Sequence, residues 1–127
     1  MEILQRFAEE TLSDAFFPGK EIRLKEHWNV SGILKHRSNQ EFKFDVRPMF
    51  NIANEQVGKT GSTKSKADKV VFETTQEWVI IDTEELYKYL KKQKSNTIQF
   101  EDLIKKIDWN IFIKKVRYDT KDPVIKK

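Results

Sequence analysis

The chain has 127 residues, no cysteine, two histidines and a net charge of +4 from 24 basic and 20 acidic side chains. Disulfides, thiolate zinc sites and thiol nucleophiles are thereby excluded, and two histidines leave little room for imidazole chemistry. With 38% hydrophobic residues, nine Phe and three Trp, one domain over residues 1–127 with one core is expected. No stretch approaches the roughly 18 apolar residues of a membrane span, and the opening MEILQRFAEETL carries acidic residues and no signal-peptide apolar run. The sequence reads as a cytosolic protein with no membrane partner.

In chain order, Ile3, Leu4, Phe7, Ala8 and Leu12 fall on one helical face, which predicts an amphipathic helix from residue 2 to about 13. Phe17-Pro18-Gly19-Lys20 then forms a turn. Ile22, Leu24, Trp28 and Val30 occupy even positions, which predicts a strand over Glu21 to Val30 with His27 and Asn29 on its opposite face. The polar run Lys35 to Gln40 reads as a hairpin loop. Beyond it, Glu41 to Arg47 alternates cleanly, so Phe42, Phe44 and Val46 face the core while Lys43, Asp45 and Arg47 line the other side. Pro48 cannot donate to a ladder and ends regular pairing there.

Residues 53 to 63, ANEQVGKTGST, invite a P-loop reading through Gly58-Lys59-Thr60. The signature needs a glycine five positions before the Gly-Lys, where Ala53 stands, and a helix immediately after, where Gly61 to Lys66 has no apolar residue at helical spacing. Residues 54 to 66 therefore read as a basic loop that binds no nucleotide. Val70-Val71-Phe72 and Trp78-Val79-Ile80-Ile81 are two strands joined by Thr74-Thr75-Gln76-Glu77. Asp82 with Glu85 three residues later makes a capping box for a helix through about Lys92, so Asp82 reads as an N-cap rather than a metal ligand. Further on stand a short helical pattern over Glu101 to Ile107, a final strand within Trp109 to Tyr118 and a charged tail, Asp119 to Lys127. The order implies an α/β or α+β fold, a mixed central sheet flanked by helices.

Basic residues cluster at Lys35-His36-Arg37, over Lys59 to Lys69, and over Lys88 to Lys94. Positive patches attract phosphate backbones, which makes Lys35, Arg37, Lys59, Lys64, Lys66 and Lys69 candidate nucleic-acid contacts; a solvated lysine-rich face is the plain alternative.

The N-terminal helix, the strand Phe44-Asp45-Val46-Arg47, Lys66-Ala67-Asp68 leading into Val70-Val71-Phe72-Glu73, Trp78 to Asp82 and the helix from Glu84 together resemble the core of small phage-type PD-(D/E)XK nucleases. The resemblance covers about residues 2 to 92, with 93–127 a C-terminal extension. It implies a restriction-endonuclease-like fold in which carboxylates on adjacent strands hold Mg²⁺ against a scissile phosphate beside a lysine that steadies developing charge. Asp45 falls at the acidic place and Arg47 at the lysine place. The earlier aspartate maps onto Asn29, beside His27, and Glu9 or Glu10 could supply a helix carboxylate, making Asp45 and Glu10 the candidate metal ligands. Two departures stand out. Asn29 offers an oxygen without charge, and Arg47 cannot titrate as lysine does. The resemblance thus implies a phage or mobile-element protein with a degenerate site that binds nucleic acid or a nucleic-acid-processing partner. Two alternatives remain open: an active Mg²⁺-dependent endonuclease on DNA or RNA, and an anti-defence inhibitor of a host nuclease.

Overall fold

The computed structural model of the chain describes residues 2–37, 39–48, 66–92 and 100–116. Its elements are α1 (Ile3–Thr11), β1 (Leu12–Phe16), α2 (Lys20–Glu26), β2 (Val30–Leu34), β3 (Glu41–Pro48), β4 (Lys69–Glu73), β5 (Glu77–Asp82), α3 (Thr83–Lys92), α4 (Phe100–Lys106) and β6 (Asn110–Lys114). The strands form one mixed sheet in chain order, antiparallel except between β3 and β4, which run parallel. This is an α+β fold. Residues 54 to 65, which include Lys59, Lys64 and the would-be P-loop, lie outside the described residues, as does the tail from 117.

Each face of the sheet buries its own cluster, as the period-2 alternation of the strands dictates. On the first face α1 lays Phe7, Ala8 and the following Leu12 against Val30, Leu34, Phe44, Val46, Val71, Trp78 and Ile80. Phe7 meets both Phe44 and Trp78 edge-on, at centroid distances of 5.3 and 5.4 Å, the favoured geometry for aromatic quadrupoles. On the second face Val70, Phe72, Val79 and Ile81 pack under Leu86 and Tyr87 of α3, Leu103 of α4, and Ile107. The C-terminal extension therefore belongs to the core, through α4 and through β6 on the sheet edge beside β5.

Residues 21 to 30 depart from the expected strand. Lys20 to Glu26 are α2, His27 closes it in the left-handed region at φ 63°, and strand pairing begins at Val30. Six of the seven α2 residues are strong helix formers, with Glu21 in the first turn and Arg23 and Lys25 in the last, where the helix dipole favours them. Local propensity outweighs the even spacing of Ile22 and Leu24, and both stay exposed. β1 was also hidden from the pattern, because only Leu12 of its residues is buried. Its neighbour β2 carries Gly32, where a Cβ would come 3.1 Å from both Leu12 Cδ1 and the Ser13 carbonyl oxygen. Glycine permits that close approach of two strands.

Asp82 behaves as an N-cap, its Oδ2 accepting from the Glu85 N–H at 3.1 Å. The reciprocal half of the box is spent elsewhere: the Glu85 carboxylate accepts from the N–H groups of Asp108 and Trp109, at 2.6 and 3.2 Å, and so ties α3 to the start of β6.

Candidate functional site

Lys43 and Asp45 alternate with the core residues Phe42, Phe44 and Val46, so β3 presents them on the second face, beyond the area that α3 and α4 cover. Asn29 reaches the same place from the start of β2, where its N–H donates to the Phe44 carbonyl at 2.9 Å. Asp45, Asn29, His27, Trp28 and Arg23 line one cavity of about 200 Å³. Sequence reasoning thus brought together two residues, Asp45 and Asn29, that the fold places side by side. Asp45 is only 7% exposed, not the surface carboxylate that strand alternation alone would suggest. Arg47 follows on β3 in register with Phe72.

The amide of Asn29 bonds the backbone through both its nitrogen and its oxygen. Its Nδ2 donates to the Val46 carbonyl at 3.2 Å, and its Oδ1 accepts from the Val46 N–H at 3.0 Å. The side chain acts as one more rung of the β2–β3 ladder, and an amide suits this because it offers both an N–H donor and an acceptor oxygen.

Near the cavity lies a set of charges of which the sequence reading singled out Lys66 alone. The Glu26 carboxylate accepts from Trp28 Nε1 at 2.8 Å and sits 4.0 Å from Lys43 Nζ. Lys43 Nζ lies 5.3 Å from the Trp28 ring centroid, in cation–π contact. Lys66 is anchored beside them by its N–H, which donates to the Glu26 carbonyl at 2.8 Å. The Trp28 hydrogen bond, opposed by burial and helped by the charges of Lys43, Lys66 and Lys25, holds the Glu26 carboxyl below its ordinary range. Arg23 Nη1 donates to the Pro18 carbonyl at 3.0 Å, which fixes its guanidinium beside the Phe17-Pro18 turn. Lys43 could have been found from its alternation with Asp45. Arg23 and Lys25 could not, since their place depends on α2.

Other expected residues fall elsewhere. Glu10 is on the first face, where its Oε1 accepts from Trp78 Nε1 at 2.9 Å and from the Val116 N–H at 3.0 Å. It is no partner for Asp45. Glu9 offers its carbonyl to Lys35 Nζ at 2.9 Å. Lys35 and Arg37 stand at the far end of β2, with His36, over a separate groove of about 480 Å³ that Glu10 and Ile113 also line. Lys69, expected to meet phosphate, is instead buried. Its Nζ pairs with Asp82 at 2.9 Å and lies 3.7 Å from the Trp109 centroid and 4.9 Å from that of Phe42. β4 alternation turns Lys69 to the first face, with Val71 and Glu73, and away from solvent.

A Mg²⁺ centre of the implied kind needs two or more charged oxygen ligands. The described cavity lining offers one carboxylate, Asp45, beside an uncharged amide whose oxygen accepts from the Val46 N–H. Among the described residues no group of three or more His, Asp or Glu is placed to hold a metal ion. These residues do not fit such a centre. No helix among them is long and apolar enough to cross a membrane.

Comparison of the chain with models of known families, with curated proteins and with solved structures gives no match.

Proposed function

We propose that the protein binds a nucleic-acid backbone on the second face, around the Asp45 cavity, and does not cut it. The observation that carries this reading is the gathering of Lys25, Lys43 and Lys66 about the Glu26 carboxylate, beside a cavity that Arg23 and Asp45 line. Cations so placed can neutralise phosphates and release condensed counterions, and the chain's net +4 adds attraction at longer range. Asp45 and Asn29, meeting on neighbouring strands, are what a PD-(D/E)XK-like site would leave behind after losing its second acid. In this reading the scaffold is a nuclease-like one of phage or mobile-element origin, kept for binding. A nucleic-acid-processing protein as partner is the second reading, favoured by Ile22 and Leu24, the latter 67% exposed on α2.

The test is incubation of the purified protein with supercoiled plasmid and with RNA, in Mg²⁺, in Mn²⁺ and in EDTA. Nucleic acid is expected to be retained in all three and to stay intact. Metal-dependent cleavage that disappears in Asp45→Asn would contradict the proposal and establish the nuclease alternative.

A further inference from the structure

Among the described residues the sheet ends in two edge strands, β1 and β6, and they are built differently. β1 is bulged between Ser13 and Phe16, with Asp14 at φ 56°, a break that hinders a further strand from pairing with it. β6 keeps an unbroken register against β5 from Asn110 to Lys114 and contains no proline. Two bonds at its ends fix the direction of its backbone groups. The Asp82 N–H donates to the Trp109 carbonyl at 3.2 Å, and the Lys115 N–H to the Gln76 carbonyl at 2.8 Å. Hydrogen-bonded pairs alternate along an antiparallel ladder, so Ile111 and Ile113 also turn their N–H and C=O groups to β5. Asn110, Phe112 and Lys114 turn theirs off the sheet. The next outward N–H, that of Val116, donates to Glu10 Oε1 at 3.0 Å, which closes the open stretch at Lys114.

An unbulged edge carrying Ile-Phe-Ile, with donors and acceptors that β5 does not use, is a template for another strand. We infer that β6 pairs antiparallel with β6 of a second copy of the chain, about a two-fold axis at Phe112. In this isologous register Phe112 faces the partner's Phe112 and Asn110 faces the partner's Lys114. Every outward N–H and C=O of the strand then meets its complement, and a shift in either direction leaves some of them unpaired. The side chains agree. Phe112, 39% exposed, gains an aromatic neighbour on the second face, while Ile111 meets the partner's Ile113 on the first, where both already pack on the core. Lys114, the one charge of β6, stands opposite Glu77 within the chain and opposite an asparagine across the interface, so no like charges meet. So short a pairing belongs to the small, reversible end of interfaces, and dissociation is expected on the order of 100 µM. The inference does not depend on the nucleic-acid reading above.

The experiment is light scattering of the purified chain from about 10 µM to about 1 mM, with amide hydrogen exchange followed at both ends of that range. The chain is expected to pass from monomer to dimer. The Asn110, Phe112 and Lys114 amides should exchange freely in dilute protein and about fivefold more slowly when it is concentrated, as the monomer fraction falls. Ile111 and Ile113, bonded to β5, should stay protected throughout. Two substitutions test the register. Asn110→Glu places a carboxylate opposite the partner's Lys114, twice over by symmetry, and should tighten the dimer about fivefold; Asn110→Lys should weaken it by about as much. Both forfeit the Asn110 Nδ2 bond to the Ile107 carbonyl, so the contrast between them reads the facing charge. Gln5→Glu and Gln5→Lys, the same charge changes at an exposed position of α1, should leave association as it is. A monomer at every concentration would overturn the inference. So would a dimer whose Phe112 amide still exchanges freely, because its interface lies elsewhere, or a Phe112 amide protected already in dilute protein, because the edge is then covered within the chain. Equal association of Asn110→Glu and Asn110→Lys would overturn it as well, since residue 110 then does not face Lys114.

Discussion

Two regions of the molecule combine acids, bases and a tryptophan, and they do so to opposite ends. On the first face Glu73 receives both Arg6 and Lys115. Arg6 donates through two nitrogens, Lys115 Nζ lies 2.7 Å from Oε2, and both cations flank the Trp78 ring at 5.7 Å. Lys115 completes its set with the carbonyls of Thr74 and Thr75, and its side chain is 3% exposed. On the second face Arg23, Lys25, Lys43 and Lys66 share Glu26 and Asp45, with Arg23, Lys25 and Lys66 exposed to solvent. The first cluster closes on itself and holds α1, β4 and the residues after β6 together. The second stands at the surface, where Asp68, accepting from the Lys43 N–H at 2.8 Å, and Glu41 join Glu26 and Asp45 among the cations. A charge set buried among its partners is architecture, and one exposed to solvent can exchange them for a ligand.

The largest effect that separates the two belongs to Glu73. Glu73→Gln takes from the buried Lys115 the carboxylate it pairs with and should cost about 3 kcal/mol of stability in chemical denaturation. No single lysine substitution on the second face should approach that. The same carboxylate sets an acid limit. Burial pushes the Glu73 pKa up, but the hydrogen bonds and charges of Arg6 and Lys115 outweigh it and hold it below the ordinary 4.5. A depressed folded-state value means that its contribution is complete above the unfolded pKa and is lost as the pH falls through the folded one. Thermal melts from pH 7 downward should therefore show a steeper loss in the unmodified protein than in Glu73→Gln. Parallel curves would remove Glu73 from the account of acid stability.

Asn29→Asp comes next. In a nuclease lacking an acid it would restore a ligand; here it turns an Nδ2–H donor into a second oxygen facing the Val46 carbonyl. A loss of about 1–3 kcal/mol is expected, with no gain of cleavage. Unchanged stability would free Asn29 for a role in chemistry. Smallest of all, Lys25→Ala, Lys43→Ala and Lys66→Ala should each stay within about 0.5 kcal/mol in stability, as surface changes do, whatever they do to binding.

The sequence disclosed those parts in which local pattern and tertiary packing agree. The strict alternation of Phe42, Phe44 and Val46, the apolar stripe of α1 and the Asp82 cap all appear in the fold where expected. It concealed those in which they disagree. Ile22 and Leu24 imitate a strand inside a segment of helix formers. The residues of β1 after Leu12 show no buried face because the strand lies on an edge, bulged between Ser13 and Phe16 with Asp14 at φ 56°. With both misread, neither Arg23 nor Phe16 could be placed near Asp45. Lys69 illustrates the converse error: counted as part of a basic run, it is turned inward by one step of strand register to a carboxylate and two aromatic rings, a burial that charge counting along the chain does not register.

The salt dependence of oligonucleotide affinity bears most directly on the central claim, that the second face grips a phosphate backbone. Log affinity for a single strand falls against log salt with a slope of about −0.7 for each phosphate neutralised. The triple variant Lys25→Ala/Lys43→Ala/Lys66→Ala should therefore have a slope shallower by about 2 than the unmodified protein, with its fold intact. The same slope and the same affinity in both proteins would contradict the claim and move the ligand away from the Asp45 face.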